Sequence, residues 1–101
     1  MGYKIRYLPL AVQDIDVLTA YLTQFYPNTA NHILQKMEHQ IALLRDTPEM
    51  CEIYSFDPFY RKLICSGYLV FYHVDKVQQT VDIHRILRGS WDISKFLERD
   101  K

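Results

Sequence analysis

The 101-residue chain predicts an α+β domain: a small, mostly antiparallel four-stranded sheet covered on one face by an α-helical hairpin, in the order β-α-α-β-β-β. Three observations predict it. Residues 2–7 alternate as a short strand. Two apolar stripes at helical spacing follow between Ala11 and Leu44. Residues 60–93 then split at two tight turns into three alternating runs. With 49% apolar and 14% aromatic residues, the chain can bury a core without disulfides or metal, so residues 1–101 read as one domain.

The elements follow in order. Pro9 ends the first strand and is tolerated in the first turn of the helix it opens. Asp14 and Asp16 come close behind, near the positive end of the helix dipole. Ala11, Ile15, Leu18, Leu22 and Phe25 form one helical stripe, broken at Pro27-Asn28. Asn28 or Thr29 is placed to cap a second helix, whose apolar side carries Ala30, Ile33, Leu34, Met37, Ile41 and Leu44. That helix stops before Thr47-Pro48, because the residue preceding a proline is pushed out of helical geometry. Residues 46–59, rich in Pro, Asp and Glu, read as a connecting loop, and Trp91 to Leu97 as a short C-terminal helix.

Within the sheet, Ser66-Gly67 is a two-residue hairpin turn, since Gly supplies the positive φ such turns need. That places Lys62 opposite Phe71 and Leu63 opposite Val70. A second turn centred between Val77 and Gln78 places Phe71 opposite His84 and Val70 opposite Arg85. One face then holds Leu63, Cys65, Tyr68, Val70, Tyr72, Val74, Val81, Ile83 and Leu87, to be covered by the helices. The other holds Lys62, Ile64, Leu69, Phe71, His73, His84, Ile86 and Arg88. This face is expected to stand at least partly open, a greasy and basic surface for a partner. Arg85 falls awkwardly on the core side. A β-bulge would turn it outward, but the favoured expectation is that its stem snorkels to Asp14 or Asp16.

Composition narrows the function. Residues 1–59 hold four Lys/Arg against seven Asp/Glu, whereas residues 60–91 hold five against two. The sheet half is therefore mildly positive and suits an acidic peptide; a protein gripping many phosphates brings more charge. Cys51 and Cys65 have no metal or redox spacing, and a reducing, cytoplasmic setting fits them. The chain contains no run of about 18 apolar residues, so no membrane partner is expected. The N-terminus reads as a strand and not a signal peptide. Met1-Gly2 begins like a myristoylation signal, but Arg6 stands where that pattern has Ser or Thr. His32 and His39 are out of helical phase for a metal pair; no metal or other cofactor is expected.

PLAVQDI at the first helix, the TPEM loop, YRKLI, the strand GYLVFYHVD and HRILRGSWDI together resemble the RelE/ParE superfamily, in the right order and over essentially the whole chain. These are toxin halves of bacterial type II toxin–antitoxin, or plasmid-stabilisation, systems. The resemblance implies a toxin neutralised by a cognate antitoxin that wraps it with a segment folding on binding, in a toxin–antitoxin hetero-oligomer. It also implies one of two targets: RelE-like members cleave mRNA in the ribosome, and ParE-like members inhibit DNA gyrase.

Chemistry weighs the two. Metal-free RNA cleavage by 2′-OH attack needs a base, an acid and cations around the phosphate. Lys62, His84 and Arg88 are the catalytic candidates, with Arg61 beside them. Against a metal-independent endoribonuclease, Leu69 stands where many nuclease members carry Arg. FLERDK also lacks the C-terminal Tyr or His-Tyr pair, and the chain has no net charge. The expectation is a ParE-like gyrase inhibitor acting by protein contact. The alternatives are a ribosome-dependent mRNA interferase and an inactive homologue that only binds antitoxin. Arg61, Lys62, Leu69, Phe71, His73, His84, Ile86, Arg88 and Trp91 are the residues expected to meet antitoxin or target. For Trp91, pinning the C-terminal turn is favoured over stacking on a base.

Overall fold

In the computed structural model, which describes residues 2–97, β1 (Lys4–Tyr7) leads into α1 (Pro9–Phe25) and α2 (Ala30–Ala42). A 3-10 turn, Leu43–Arg45, extends α2. Then come β2 (Arg61–Cys65), β3 (Tyr68–Asp75), β4 (Thr80–Arg88) and a single 3-10 turn, Ile93–Lys95. That turn replaces the longer helix expected from Trp91 to Leu97. The four strands lie in the order β1-β4-β3-β2, with β1 parallel to β4 and the other pairs antiparallel. The helical hairpin carries the chain from one edge of the sheet to the other, α1 lying against β4 and α2 against β2.

Local chemistry accounts for the element ends. Pro9 sits at the start of α1, and Thr29 occupies the position before α2 without a side-chain capping bond. Asp14 lies beyond the first turn of α1, so it is not the dipole partner its sequence position promised. Ser66 and Gly67 both have positive φ (51° and 81°), the geometry of a tight primed turn. At the next turn the Asp75 carboxylate accepts from the backbone N–H groups of Val77 and Gln78, each at 3.0 Å.

The sheet is packed on both faces. Beneath the helices, Leu18, Leu22, Met37, Ile41 and Leu44 close over Leu63, Val70, Tyr72, Val81 and Ile83. The far face carries a second apolar cluster of Tyr60, Phe71, Leu87 and Leu97, edged by Tyr54, Phe59, Leu69 and Ile93. Its covering comes from the 46–60 segment and from the residues after β4. The Tyr72 hydroxyl donates to the Pro48 carbonyl at 3.0 Å, fastening the 46–59 loop to the sheet. Burial raises the Tyr72 phenol well above its ordinary pKa, so it remains a donor at neutral pH.

Candidate functional site

The registers expected for β2 with β3 hold: Lys62 pairs with Phe71 and Leu63 with Val70. Between β3 and β4 the expected register holds only near the turn, from Tyr72↔Ile83 to Asp75↔Thr80. Beyond it, Phe71 pairs with Arg85 and Val70 with Ile86, leaving His84 as the extra residue of a β-bulge. An inserted residue reverses which face each later side chain takes. Ile86, expected on the open face, is therefore buried under the helices at 4% exposure. Leu87, expected under the helices, belongs to the far cluster.

Arg88 moves with them. It is half-buried, its guanidinium 4.8 Å from the centre of the Tyr21 ring on α1. The expected open platform of Lys62, Phe71, His84 and Arg88 is thus not formed: Arg88 is on the helix side, and Phe71 is completely buried beneath Tyr54 and Tyr60. The cause is twofold: the bulge, and a covering built from loop aromatics instead of a third helix.

Arg85 meets both expectations at once. The bulge precedes it, and its guanidinium grips Asp14, Nε to Oδ2 at 2.8 Å and Nη2 to Oδ1 at 2.9 Å, while Nη1 donates to the Phe96 carbonyl at 2.7 Å. Asp14 also accepts the backbone N–H of Ile86 at 2.9 Å. Its position explains why: β1 ends opposite Ile83, and beyond it β4 has a strand on its β3 side alone. A helix carboxylate supplies the missing acceptor. The hydrogen bonds from Arg85 to Asp14 raise the guanidinium pKa further.

The remaining candidates are held in place by the covering. His73 stacks face to face on Phe59, centroids 3.9 Å apart, with Nδ1 3.0 Å from the Phe59 carbonyl oxygen. His84 meets Phe59 and Tyr60 edge-on at 5.5 and 5.2 Å. Arg61 donates to the Cys51 carbonyl at 2.7 Å and pairs with Glu49 at 3.2 Å. Lys62 pairs with Glu52 at 3.5 Å above the Tyr54 ring. Leu69 edges the far cluster, and Trp91, 39% exposed, stacks on Phe96 at 5.0 Å, pinning the C-terminal turn. Lys62 and His84 share the far face; Arg88 does not join them, so the three do not converge on one phosphate.

Around Arg88 lies a cleft of about 480 Å³ between the end of the helical hairpin and the end of the sheet. Tyr21, Tyr26 and Tyr68 wall it, and Ser66, Gly67, Gly89 and Ser90 form its rim. The backbones touch there: Gly89 N–H donates to the Gly67 carbonyl at 2.9 Å, and a Cβ on Gly89 would stand 3.2 Å from that oxygen. Burial raises the Tyr68 phenol pKa despite the opposing Arg88 charge, so that ring stays neutral. Among the described residues no acidic side chain lines the cleft and Arg88 has no carboxylate within ion-pair distance. Tyr21 and Tyr26 were not singled out in the sequence, their only signal being an aromatic cluster at the end of α1, whereas Tyr68 stands on the helix-covered face where it was expected.

A helical hairpin on an open four-stranded sheet, with its polar chemistry dispersed and a cationic cleft at the sheet end, defines a small α+β domain of two helices and a mixed sheet. The family model described as "ParE toxin of type II toxin-antitoxin system, parDE" matches residues 5–93, and the chain belongs to this family. Solved structures agree on the fold. A chain of the chromosomal ParDE system from P. aeruginosa is 19% identical, with a TM-score of 0.73, covering 85% of this chain and 95% of its own. A chain of the RelBE2 toxin–antitoxin complex from Mycobacterium tuberculosis is 18% identical at TM-score 0.56, with 87% and 99% covered. An arginine-to-alanine mutant of the E. coli toxin RelE, in complex with an antitoxin RelBc peptide, is 16% identical at TM-score 0.58, with both chains fully covered. No curated protein matches the chain in sequence. Among the described residues no helix is long and apolar enough to cross a membrane.

Proposed function

We propose that this chain is a cytoplasmic toxin held silent by a cognate antitoxin, and that it acts by protein–protein contact, with DNA gyrase as its target. The family match over residues 5–93 carries the reading. Supporting it, structural neighbours include toxins in complex with antitoxins. The side chains a metal-free ribonuclease would need also lie apart: Lys62 is paired with Glu52, His84 is packed on aromatic rings and Arg88 faces the helices. Such cleavage requires acid, base and cation around one phosphate.

Induced expression without antitoxin, with pulse labelling of DNA and protein synthesis, tests this. A gyrase inhibitor blocks supercoiling by purified gyrase and triggers DNA-damage signalling while protein synthesis continues at first. Immediate arrest of translation with cut transcripts, lost in Lys62→Ala, would replace it with the mRNA-interferase reading. Absence of any growth effect would leave only antitoxin binding.

A further inference from the structure

We infer that the Arg88 cleft is a carboxylate-anchoring pocket, and that its occupant is an acidic peptide segment of the silencing partner, inserting a Glu or Asp beside an apolar side chain. The identity of that partner rests on the toxin reading above; the chemistry of the pocket does not.

Three features carry it. Arg6, Arg61 and Arg85, the other sheet arginines, each have a carboxylate, whereas Arg88 has none among the described residues. Its guanidinium lies 4.8 Å from the centre of the Tyr21 ring, where a half-buried cation can turn its donors to an incoming anion. The walls are tyrosine rings, apolar bodies with polar tips, which suit a peptide side chain flanking the carboxylate. The hydroxyl groups of Ser66 and Ser90, exposed residues at the rim, add donors for the peptide backbone. One cation favours a single carboxylate over a phosphate chain, because polyanion grip scales with the number of charges neutralised.

The test is a titration of the isotope-labelled protein, followed by amide NMR, with the capped peptide acetyl-Leu-Glu-Phe-Leu-amide and its Gln counterpart. Shifts confined to the amides of Gly67, Tyr68, Gly89 and Ser90 are expected with the Glu peptide. The Gln peptide should bind about tenfold more weakly, the factor set by one charge-assisted hydrogen bond. Arg88→Gln should erase the difference between the peptides and Arg88→Lys should restore part of it; a well-dispersed spectrum confirms that each variant is folded. Equal binding of the two peptides, or no localised shifts, overturns the inference. So does a thymidine tetranucleotide that moves the same amides at lower concentration, which would make the cleft a nucleic-acid site. A protein that binds the Glu peptide yet fails the gyrase assay sinks the target and not the pocket.

Discussion

Arg85 and Asp14, with side chains only 17% and 13% exposed, form a nearly buried ion pair that joins α1 to the bulged part of β4. Truncating either partner strands the other charge, and Asp14→Ala also leaves the Ile86 N–H without its acceptor. Either single change should cost about 3 kcal/mol in urea unfolding, and the double variant little more than one alone. The buried aspartate of β4, Asp82, behaves differently. Burial opposes ionisation of Asp82, but hydrogen bonds and charge from Arg6, with contacts of 2.8 Å, hold its carboxyl below the ordinary value of 3.8. The native state then binds this proton less tightly than the unfolded chain. The contribution is complete above pH 3.8 and is lost as pH falls through the lower native value. Stability measured from pH 6 down to about 2 should decline on that limb, and Asp82→Asn should flatten it. Of these contacts, the Asp14 pairing was legible in the sequence, because a cation on a core-facing strand position demands a carboxylate within reach. The Asp82 pairing was not; it depends on β1 lying parallel beside β4, which no local pattern announces.

At the level of elements, the bulge at His84 decides which side chains face which way. Periodicity located β4, and turn chemistry fixed the first hairpin, but a one-residue insertion leaves no mark in an alternating pattern whose two faces are both apolar. The far face showed the same ambiguity: Leu69 and Phe71 look like an open patch until Tyr54, Phe59 and Tyr60 arrive from a segment without periodicity. Deleting His84 should therefore be tolerated, because a regular strand still sets Arg85 opposite Phe71 and Ile86 opposite Val70. The expected result is cooperative unfolding and a dispersed amide spectrum; loss of both would show that the bulge itself is required. The alanine variant should keep the Phe71–Arg85 cross-strand contacts in a nuclear Overhauser spectrum.

Taken whole, the molecule is three layers: helical hairpin, sheet, and a thinner cover of loop and C-terminal aromatics. The fold class and the helix-side core follow from two stripes and three strands, and were readable; the third layer was not, since its rings are scattered in sequence. Phe71 is its keystone, edge-on to Tyr54 at 5.0 Å and to Tyr60 at 6.2 Å. Phe71→Ala should cost about 3–5 kcal/mol. It should also release the Ile93–Leu97 turn first, visible as early proteolytic cleavage near Trp91 while the helices stay protected.

Because β4 borrows a helix carboxylate where a neighbouring strand would sit, a single amide proton reports on how two layers are joined. Exchange at Ile86 should follow the undocking of the first helix, whereas exchange at Val81 and Ile83, flanked by strands on both sides, should follow opening of the sheet itself. The difference between those two rates measures how firmly the lid is latched, with no label added to the protein.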